Sequence, residues 1–302
     1  MTCIGKRTRW ALPPRRARMA GPLRLLESGH MDVALRQDLE IAVSAARKGR
    51  EVIVPWVGRL GGADFKGEVD PVTEADRESE AVIISTIEAV RPGDAILAEE
   101  SGGDPLGPAR VWIIDPLDGT VNFLHGVPHV GVSVALYEKG LPRVGVVLDV
   151  FRDEIFTAAA GFGAHRDGEP IAVSDQSDLG AALVATGFPY DRRRQAASYA
   201  TIIGEMLTQV QGIRRMGTAS LDLAWVACGR YDAFWELKLA PWDVAAGILL
   251  IQEAGGQMTD LTGRPARPGD KAVVASNSSL GESFRSRVAA AVPAGLATES
   301  AE

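Results

Sequence analysis

The sequence predicts an α+β protein, because strand-like and helix-like segments follow one another in two different arrangements along the chain. Between Ala95 and Ala160, short apolar runs are joined by brief links, which is typical of antiparallel hairpins. After Ala182, such runs alternate with helical patterns, which is typical of an α/β arrangement. With 302 residues, 46% of them hydrophobic, the chain is long enough to fill a core of this kind.

The first thirty residues differ from the rest in composition. They contain seven Lys or Arg against one acid, Glu27, although the whole chain has a net charge of −7. They lack the continuous apolar run of about 7–15 residues that a secretory signal requires, although an Arg-rich, acid-poor start loosely resembles a transit peptide. We expect residues 1–30 to be a disordered basic extension. Met31 directly precedes the first helical pattern, so translation from Met31 is a further hypothesis.

Two helices and five strands are predicted in the first half. Apolar positions recur at helical spacing from Asp32, and Thr73 begins a second helix that runs to about Val90. The strands are AILA at 95–98, RVWII at 110–114, VGVSVALYE at 130–138, RVGVVLDV at 143–150 and EIFTAAA at 154–160. The Lys139-Gly140 and Asp167-Gly168 pairs are typical of hairpin turns, so we expect an antiparallel sheet here.

The second half alternates strands with helices. The order is strand LVATG, a helix to about Val210, strand IRRM, a helix over 219–228, strand AFWE, a helix over 243–254 and strand AVVAS. We therefore expect an N-terminal α+β lobe over residues 31–180, which carries most of the candidate metal-binding acids. We expect a C-terminal α/β lobe over residues 181–292 and a tail over residues 293–302.

Composition excludes several classes of protein. A net charge of −7 argues against binding of nucleic acid or of an anionic membrane by bulk electrostatics, although a local basic patch is compatible with it. Cys3 and Cys228 lie far apart and suggest neither a disulfide framework nor a cysteine metal site, which fits a reducing cytoplasm. We find no apolar run of about 18 residues, so no membrane-spanning helix is predicted.

Acidic residues are concentrated where predicted elements begin or end. Loops at strand ends commonly hold catalytic groups, because their backbone is positioned while their side chains stay accessible. Carboxylates with few nearby Lys or Arg can share a buried site only if a cation neutralises them. Mg²⁺ is the natural candidate, since it prefers oxygen ligands and often binds substrate phosphate as well. The acids in question are Glu99, Glu100, Asp115, Asp118 and Asp243.

The segment Asp118-Gly119-Thr120 predicts an anion site beside these acids. Gly119 permits close approach of the backbone to a ligand. If residues 119–124 begin a helical turn, its free N–H groups can bind phosphate. Metal and phosphate together indicate phosphoryl chemistry, in which two ions about 3.5–4 Å apart activate water and stabilise the leaving oxygen.

Each acid also has a structural explanation. The DPLDG segment alone is compatible with a surface turn or a calcium-binding loop, and Asp243 with a favourable charge at a helix N-terminus. Thr73-Glu74-Ala75-Asp76 fits a capping box, which gives Asp76 a structural role. Glu236 lies in an otherwise apolar strand pattern and requires either solvent or a partner. The joint arrangement of the acids favours a functional site.

These residues resemble the inositol monophosphatase family of magnesium-dependent, lithium-sensitive phosphatases. WIIDPLDGTVNF at 112–123 is similar to the first signature of that family, and PWDVAAGILLIQEAGG at 241–256 is similar to the second. The family more often has a second Thr where this chain has Val121. Supporting segments follow in the expected order: DPVTEAD at 70–76, ILAEES at 96–101, GFGAHRDGEPI at 161–171, TGFPYD at 186–191 and GTASLDLAWVACGRYDAFWE at 217–236.

The resemblance implies a layered αβαβα fold, a homodimer and two or three Mg²⁺ ions. One ion would be bound by Glu99, Asp115 and the carbonyl of Leu117. A second would be bound by Asp115, Asp118 and Asp243, so that Asp115 bridges the two. A third, weaker ion would lie near Glu99.

The resemblance also implies the catalytic and substrate-binding residues. Thr120 and Asp76 match the pair that orients and deprotonates the attacking water, with Glu99 beside them. The amides of Gly119 and Thr120 would hold the phosphate next to Asp118. The hydroxyl groups of the sugar alcohol would contact Gly217, Thr218, Ala219, Glu236 and Asp243.

Inositol 1-phosphate is the favoured substrate. Fructose 1,6-bisphosphate, 3′-phosphoadenosine 5′-phosphate and histidinol phosphate remain alternatives, because related enzymes act on different esters through the same metal centre. A second class of function is that of an RNA- or polymerase-associated regulatory factor, although we expect no nucleic-acid partner from the bulk charge. His125 and His129 follow the first signature, and we interpret them as structural or peripheral.

Overall fold

The computed structural model describes residues 31–59, 64–65, 71–103 and 110–296. The expected basic extension over residues 1–30 lies outside these ranges. The expected tail over residues 293–302 is described only to Leu296, which is 4% exposed and packs in the core beneath the second sheet. The globular part therefore continues past the predicted boundary at residue 292.

Seven α-helices lie in the described ranges. The predicted helices are confirmed, and the last one, α7, is an addition that the sequence analysis did not predict. None of these helices combines the length and the hydropathy needed to cross a bilayer. The helices are α1 (Val33–Ile53), α2 (Glu74–Glu88), α3 (Thr120–Leu124), α4 (Ala196–Leu207), α5 (Ala219–Ala227), α6 (Pro241–Glu253) and α7 (Gly281–Ala291).

The same ranges contain fourteen strands, of which β1 (Asp64–Phe65) and β2 (Pro71–Val72) form a separate two-stranded ladder. The first large sheet contains β3 (Ala95–Ala98), β4 (Arg110–Asp118), β5 (Gly131–Glu138), β6 (Leu141–Asp149), β7 (Glu154–Ala159), β8 (Ala164–Arg166) and β9 (Glu169–Ile171). The second contains β10 (Leu183–Thr186), β11 (Gly212–Arg214), β12 (Ala233–Leu237), β13 (Gln257–Thr259) and β14 (Ala272–Ser276).

The first large sheet has seven strands in the order β3-β4-β5-β6-β7-β8-β9. Both predicted hairpin turns are present, and all four of their residues have positive φ, as a tight hairpin requires: Lys139 (53°), Gly140 (76°), Asp167 (53°) and Gly168 (83°). The expectation of a wholly antiparallel sheet is wrong at one edge, because β3 pairs with β4 in parallel. Parallel neighbours need a longer connection than a two-residue hairpin, and residues 99–109 separate β3 from β4.

The second large sheet has five strands in the order β11-β10-β12-β14-β13. Strand β10 is parallel to β11 and β12, as the alternation of strands and helices predicts. Strand β14 runs antiparallel to both β12 and β13, so the sheet is mixed. The parallel strands place the segments after β10 and β11 at one edge of this sheet.

The elements stack in five layers and confirm the αβαβα architecture. Helices α1 and α2 pack on the outer face of the first sheet. Helices α5 and α6 lie between the two sheets, and α4 and α7 cover the far face of the second sheet. The central core contains side chains from both halves of the chain. The division into lobes at residue 180 therefore stays a prediction about chain order and does not correspond to two separate cores.

Candidate active site

The parallel pairing of β3 and β4 brings the first two candidate acids together. Ala98 pairs with Ile114, and the N–H of Glu99 donates to the carbonyl of Ile114 at 3.2 Å. Parallel neighbouring strands end at the same edge of a sheet. Glu99 and Asp115, which are the next residues after this pair, therefore lie side by side at that edge. The sequence analysis did not predict this parallel pairing.

A bulge in β4 places Asp115 and Asp118 on the same face of the sheet. Residues three apart in a regular strand point to opposite faces. Here Asp115 pairs with Ser133 and Asp118 pairs with Gly131, so β4 uses one more residue than β5 over this interval. Strand β4 therefore extends beyond the predicted end at residue 114 and includes both aspartates. Pro116 lies within the bulge, where a missing N–H donor is tolerated.

The helical turn expected after Asp118 is present as α3, with Gly119 as its N-cap. Gly119 has φ +94°, a backbone conformation that residues other than glycine rarely adopt. A Cβ atom at this position would lie 2.5 Å from Oγ1 of Thr218 and 3.1 Å from the carbonyl of His129. Glycine is therefore required for both backbone conformation and packing at the point where a phosphate would approach the N–H groups of the turn.

Thr120, Asp76 and Leu117 form a connected group beside this turn. The hydroxyl of Thr120 lies 3.0 Å from Oδ1 of Asp76 and 3.2 Å from the carbonyl of Leu117, and can donate to either. Oδ2 of Asp76 accepts hydrogen bonds from the N–H and the hydroxyl of Thr73. The predicted capping box is confirmed, and the second carboxylate oxygen of Asp76 contacts Thr120. The structural and the proposed catalytic roles of Asp76 are therefore compatible.

The second half of the chain supplies the opposite side of the site. The N–H of Ser220, at the start of α5, donates to Oδ2 of Asp118 at 2.7 Å. Asp243 occupies the first turn of α6, and one of its carboxylate oxygens accepts from the N–H of Ala240 at 2.7 Å. Glu236 points from β12 toward the backbone of Gly187, where a Cβ atom would lie 2.1 Å from either carboxylate oxygen of Glu236. Gly217, Thr218 and Ala219 form the entry to α5.

The pKa values of the acids are raised throughout this region. Burial raises the pKa of Asp115 well above its ordinary value, and the charges of Glu99, Asp118 and Asp243 raise it further. Burial and the charge of Asp118 likewise raise the pKa of Asp243. Burial raises the pKa of Asp118 to about 6, although hydrogen bonds from Ser220 oppose the shift. Burial raises the pKa of Glu236 to about 8.

The arrangement fits a divalent cation in its chemistry. Asp115 is 1% exposed and Asp118 is 9% exposed, so their ionised forms require compensating positive charge. The available donors are carboxylate and carbonyl oxygens, which Mg²⁺ prefers. Among the residues that the structure describes, no three His, Cys, Asp or Glu side chains are close enough together to bind a metal ion as they stand.

Asn122 joins three segments of the site and was not predicted to do so. Its Nδ2 donates to the carbonyls of His129 at 2.9 Å and Met216 at 2.8 Å. The hydroxyl of Thr218 donates to the same carbonyl of His129 at 2.9 Å. Asn122 therefore connects the proposed phosphate-binding turn to the proposed alcohol-binding segment. The sequence indicated this role only by the position of Asn122 within the first signature. Its partners are backbone carbonyls, which every residue has, so the sequence does not reveal them.

Arg215 is the second residue that sequence reasoning missed. Its guanidinium lies 5.5 Å from the ring centroid of Phe188, and a Cβ atom on Gly217 would lie 2.3 Å from its Nη1. Its charge lowers the pKa of Asp118 and Glu236, which opposes the effect of burial on both. The acidic site therefore has one arginine at its edge, although the sequence analysis expected positive charge from metal alone.

His129 and Cys228 occupy the positions expected of structural residues, whereas His125 is exposed. His129 is 1% exposed, and burial lowers its pKa to about 4, so the ring is neutral at physiological pH. Its contribution to the site is the backbone carbonyl described above. Cys228 is half-buried beside the central core, and burial raises the pKa of its thiol, which makes it a poor nucleophile.

Comparison with known sequences identifies related proteins over most of the chain. The sequence profile of the inositol monophosphatase family matches residues 34–294. A Nus factor SuhB from Pseudomonas aeruginosa is 47% identical over 232 residues, which are 74% of this chain and 86% of that protein. An inositol-1-monophosphatase from Rhizobium meliloti is 42% identical over 261 residues, which are 84% of this chain and 97% of that protein.

Comparison with solved structures gives the same result for the fold. An inositol monophosphatase from Anabaena superimposes with a TM-score of 0.77 at 40% identity, over 86% of this chain and 98% of that chain. The extragenic suppressor protein suhB from Bartonella henselae superimposes with a TM-score of 0.78 at 37% identity, over 86% of this chain and 100% of that chain.

Proposed function

The chain belongs to the inositol monophosphatase family, and on that premise we propose that it hydrolyses inositol 1-phosphate to inositol and phosphate with the help of Mg²⁺. The observation that carries this proposal is the convergence of Asp115, Asp118 and Asp243. These three carboxylates come from both halves of the chain; the charges of Asp118 and Asp243 raise the pKa of Asp115, and the charge of Asp118 raises that of Asp243. Such a set is stable in its ionised form only with cations.

We propose that Glu99, Asp115, Asp118, Asp243 and the carbonyl of Leu117 hold two or three Mg²⁺ ions, with Asp115 shared. When bound, Mg²⁺ supplies positive charge that offsets the repulsion between a phosphate dianion and an attacking water. No covalent intermediate on the protein is required, because water is the nucleophile.

Thr120 and Asp76 are the proposed proton acceptors. The hydroxyl of Thr120 can donate to Asp76 at 3.0 Å, which leaves a lone pair of the Thr120 oxygen available to accept a proton from water. Burial raises the pKa of Asp76 to about 6, so its carboxylate is ionised near neutral pH yet basic enough to accept that proton. Glu99, which directly follows β3, is the third proposed catalytic residue. The amides of Gly119 and Thr120 hold the phosphate at the start of α3.

The alcohol of the substrate would occupy the side of the site that the second half of the chain forms. Glu236 and Asp243 offer acceptors for sugar hydroxyls, and Gly217, Thr218 and Ala219 offer backbone and hydroxyl groups. Arg215 stands at the edge of this region. A polyol with several hydroxyl groups matches this lining better than an apolar alcohol does.

Phosphate release from a panel of esters tests the proposal. The panel contains inositol 1-phosphate, fructose 1,6-bisphosphate, 3′-phosphoadenosine 5′-phosphate and histidinol phosphate, each with Mg²⁺ and with chelator. We expect Mg²⁺-dependent hydrolysis with the highest kcat/KM for inositol 1-phosphate. A higher kcat/KM for another ester would leave the proposed mechanism unchanged and would make that ester the preferred substrate. No hydrolysis of any ester would contradict the proposal.

A second function is supported by the similarity to proteins named Nus factor SuhB, and we propose it as an additional role in an RNA- or polymerase-associated complex. Exposed arginines provide a candidate surface: Arg193 and Arg194 lie at the end of the 3-10 turn after β10, Arg214 ends the neighbouring strand β11, and Arg215 follows it. This local charge is compatible with the negative charge of the whole chain. The Asp115→Asn variant should lose hydrolysis and keep this role.

Two further properties are proposed from family membership. We propose that the protein forms a homodimer, which sedimentation equilibrium at micromolar concentration would test. We also propose that lithium inhibits hydrolysis. Undiminished hydrolysis in tens of millimolar lithium would contradict the second proposal.

A further inference from the structure

The connection between β12 and α6 contains a buried lysine in an unusual backbone conformation. Lys238 lies between Glu236 and Asp243 and has φ +57°, a conformation that favours glycine. Its side chain has no solvent exposure. Positive φ is unfavourable for a residue with a side chain, and burial is unfavourable for the charged amine, so Lys238 must make compensating interactions.

Those interactions are made with Asp191. Nζ of Lys238 donates to Oδ2 of Asp191 at 2.6 Å, and the hydroxyl of Tyr199 donates to Oδ1 of Asp191 at 2.7 Å. Asp191 belongs to a short 3-10 turn after β10, and Tyr199 belongs to α4. We refer to Lys238, Asp191 and Tyr199 as the clasp. The clasp fixes the connection after β12 to the segment over residues 187–195.

The segment over residues 187–195 contacts the proposed alcohol-binding side of the site. Gly187 lies directly against the carboxylate of Glu236, and Phe188 lies under the guanidinium of Arg215. A shift of this segment would therefore move the surroundings of Glu236 and Arg215 together. Asp115 and Asp118, on the phosphate side, are held by β4 and α5 and make no direct contact with the clasp among their described hydrogen bonds.

We infer that the clasp positions Glu236 and Arg215 and thereby determines which alcohol the enzyme accepts. The inference rests on the proposed function, in which Glu236 contacts the hydroxyl groups of the substrate. Asp115 and Asp118, which line the phosphate side, make their described hydrogen bonds to other segments, whereas Asp243 is linked to the same connection only through the N–H of Ala240. Lys238, Asp191 and Tyr199 are positioning residues, because they act through Glu236 and Arg215 rather than by touching substrate.

The first test compares two esters in the Asp191→Asn variant. Inositol 1-phosphate presents hydroxyl groups to Glu236, whereas p-nitrophenyl phosphate has none on its leaving group. We expect kcat/KM for inositol 1-phosphate to fall about tenfold, mainly through KM, and kcat/KM for p-nitrophenyl phosphate to stay within about twofold. An equal loss for both esters, or no loss for either, would overturn the inference.

A double variant separates positioning from stability. Asp191→Asn combined with Lys238→Gly removes both buried charges and relieves the backbone conformation, so it should unfold at a temperature close to that of the wild type. We expect its discrimination between the two esters to remain impaired. Recovery of wild-type discrimination would show that the clasp contributes to stability alone. Glu282→Gln is the matched control, because it breaks an exposed ion pair of 2.6 Å in α7.

The design distinguishes failure of this inference from failure of the proposed function. If wild-type protein prefers another ester of the panel, that ester replaces inositol 1-phosphate in the comparison. If it hydrolyses none, hydrogen exchange provides the readout. We expect amides in residues 187–195 and 237–240 to exchange at least about tenfold faster in Asp191→Asn than in wild type. Unchanged exchange in both segments would overturn the inference without reference to activity.

Discussion

Two groups of buried carboxylates lie at opposite ends of β4, and only one of them contains its own cations. At the first end, Arg110 donates to Asp38 and Asp94 at 3.1 Å, Arg91 donates to Asp38 at 2.9 Å, and Trp112 donates to Asp94 at 2.9 Å. We call this group the arginine cluster. The acid cluster at the other end consists of Asp115, Asp118, Asp243 and Glu236, with Arg215 at its edge.

The difference shows what each cluster contributes. Two aspartates balance two arginines in the arginine cluster, and every carboxylate there receives directed hydrogen bonds, so this cluster is complete as a structural unit. The acid cluster has an excess of negative charge that raises its own pKa values. Excess charge in a buried site reduces stability unless a ligand compensates it, which is typical of a functional site. Four measurements test whether this contrast is as sharp as the structure indicates.

Asp115→Asn should give the largest effect. The amide keeps the size of the side chain but removes the charge shared between the proposed metal sites, so we expect kcat to fall by about 1,000-fold or more. The free energy of unfolding without metal should stay equal or rise, because one of several repelling charges is gone. Steady-state kinetics and urea denaturation with chelator provide the two values. A large loss of stability would contradict the assignment of Asp115 to a site with excess charge.

Asp38→Asn should lower stability and leave kcat unchanged, which is the reverse of the effect of Asp115→Asn. It leaves two arginines without their shared carboxylate, so we expect the free energy of unfolding to fall by about 3 kcal/mol. This is the low end of the range for buried pairs, because Arg91 and Arg110 are still partly exposed, at 22% and 25%. The value of kcat for folded protein should not change. A fall in kcat comparable to that of Asp115→Asn would show that the two clusters are coupled.

The pH dependence of stability gives a third, smaller effect. Glu236 has a folded pKa of about 8, above the ordinary value of 4.5, so the folded state binds more protons than the unfolded state between these pH values. Stability of chelated protein should therefore fall as pH rises through this window, by at least about 5 °C in the unfolding midpoint. Saturating Mg²⁺ should flatten this slope, because a cation held by Asp118 would offset the negative charge that helps to raise the pKa of Glu236. A slope that is identical with Mg²⁺ and with chelator would count against metal binding by these acids.

Val121→Thr should give the smallest effect. Val121 is 44% exposed on α3 and belongs to the first signature but not to the acid cluster. We expect kcat/KM to remain within about twofold of the wild type. A change beyond tenfold would mean that this position contributes to the site despite its exposure.

Much of the fold was predictable from the sequence, because it depends on local patterns. The hairpin turn at Lys139-Gly140, the strand periodicity of β5 and β6 and the helical spacing of α1 are properties of neighbouring residues. The parallel pairing of β3 with β4 was not predictable in this way, since it depends on how a long connection crosses the sheet. The extension of β4 through Asp118 depends likewise on pairing with β5, because the Asp-Pro sequence alone resembles a turn.

The candidate site was predictable at the level of residue types. The acids of the two signatures, and Gly119 between strand and helix, carry their chemistry in their identity. The interactions of Asn122 and Arg215 could not be predicted, because their partners are backbone carbonyls and an aromatic ring far along the chain. The clasp was equally hidden, since Lys238 and Asp191 are 47 residues apart and, although Asp191 ends the TGFPYD segment, nothing in the sequence pairs it with Lys238.

The hydrogen bond from Ser220 to Asp118 limits how early the site can form while the chain is being synthesised. It joins residues that are 102 positions apart in the chain. At a translation rate of about 5–20 residues per second, Asp118 precedes its partner by about 5–20 s. During this interval the nascent chain holds the aspartates of the first signature with neither α5 nor α6 to cover them. The proposed site can therefore be complete only after α5 and α6 have been synthesised and have packed into the shared central core.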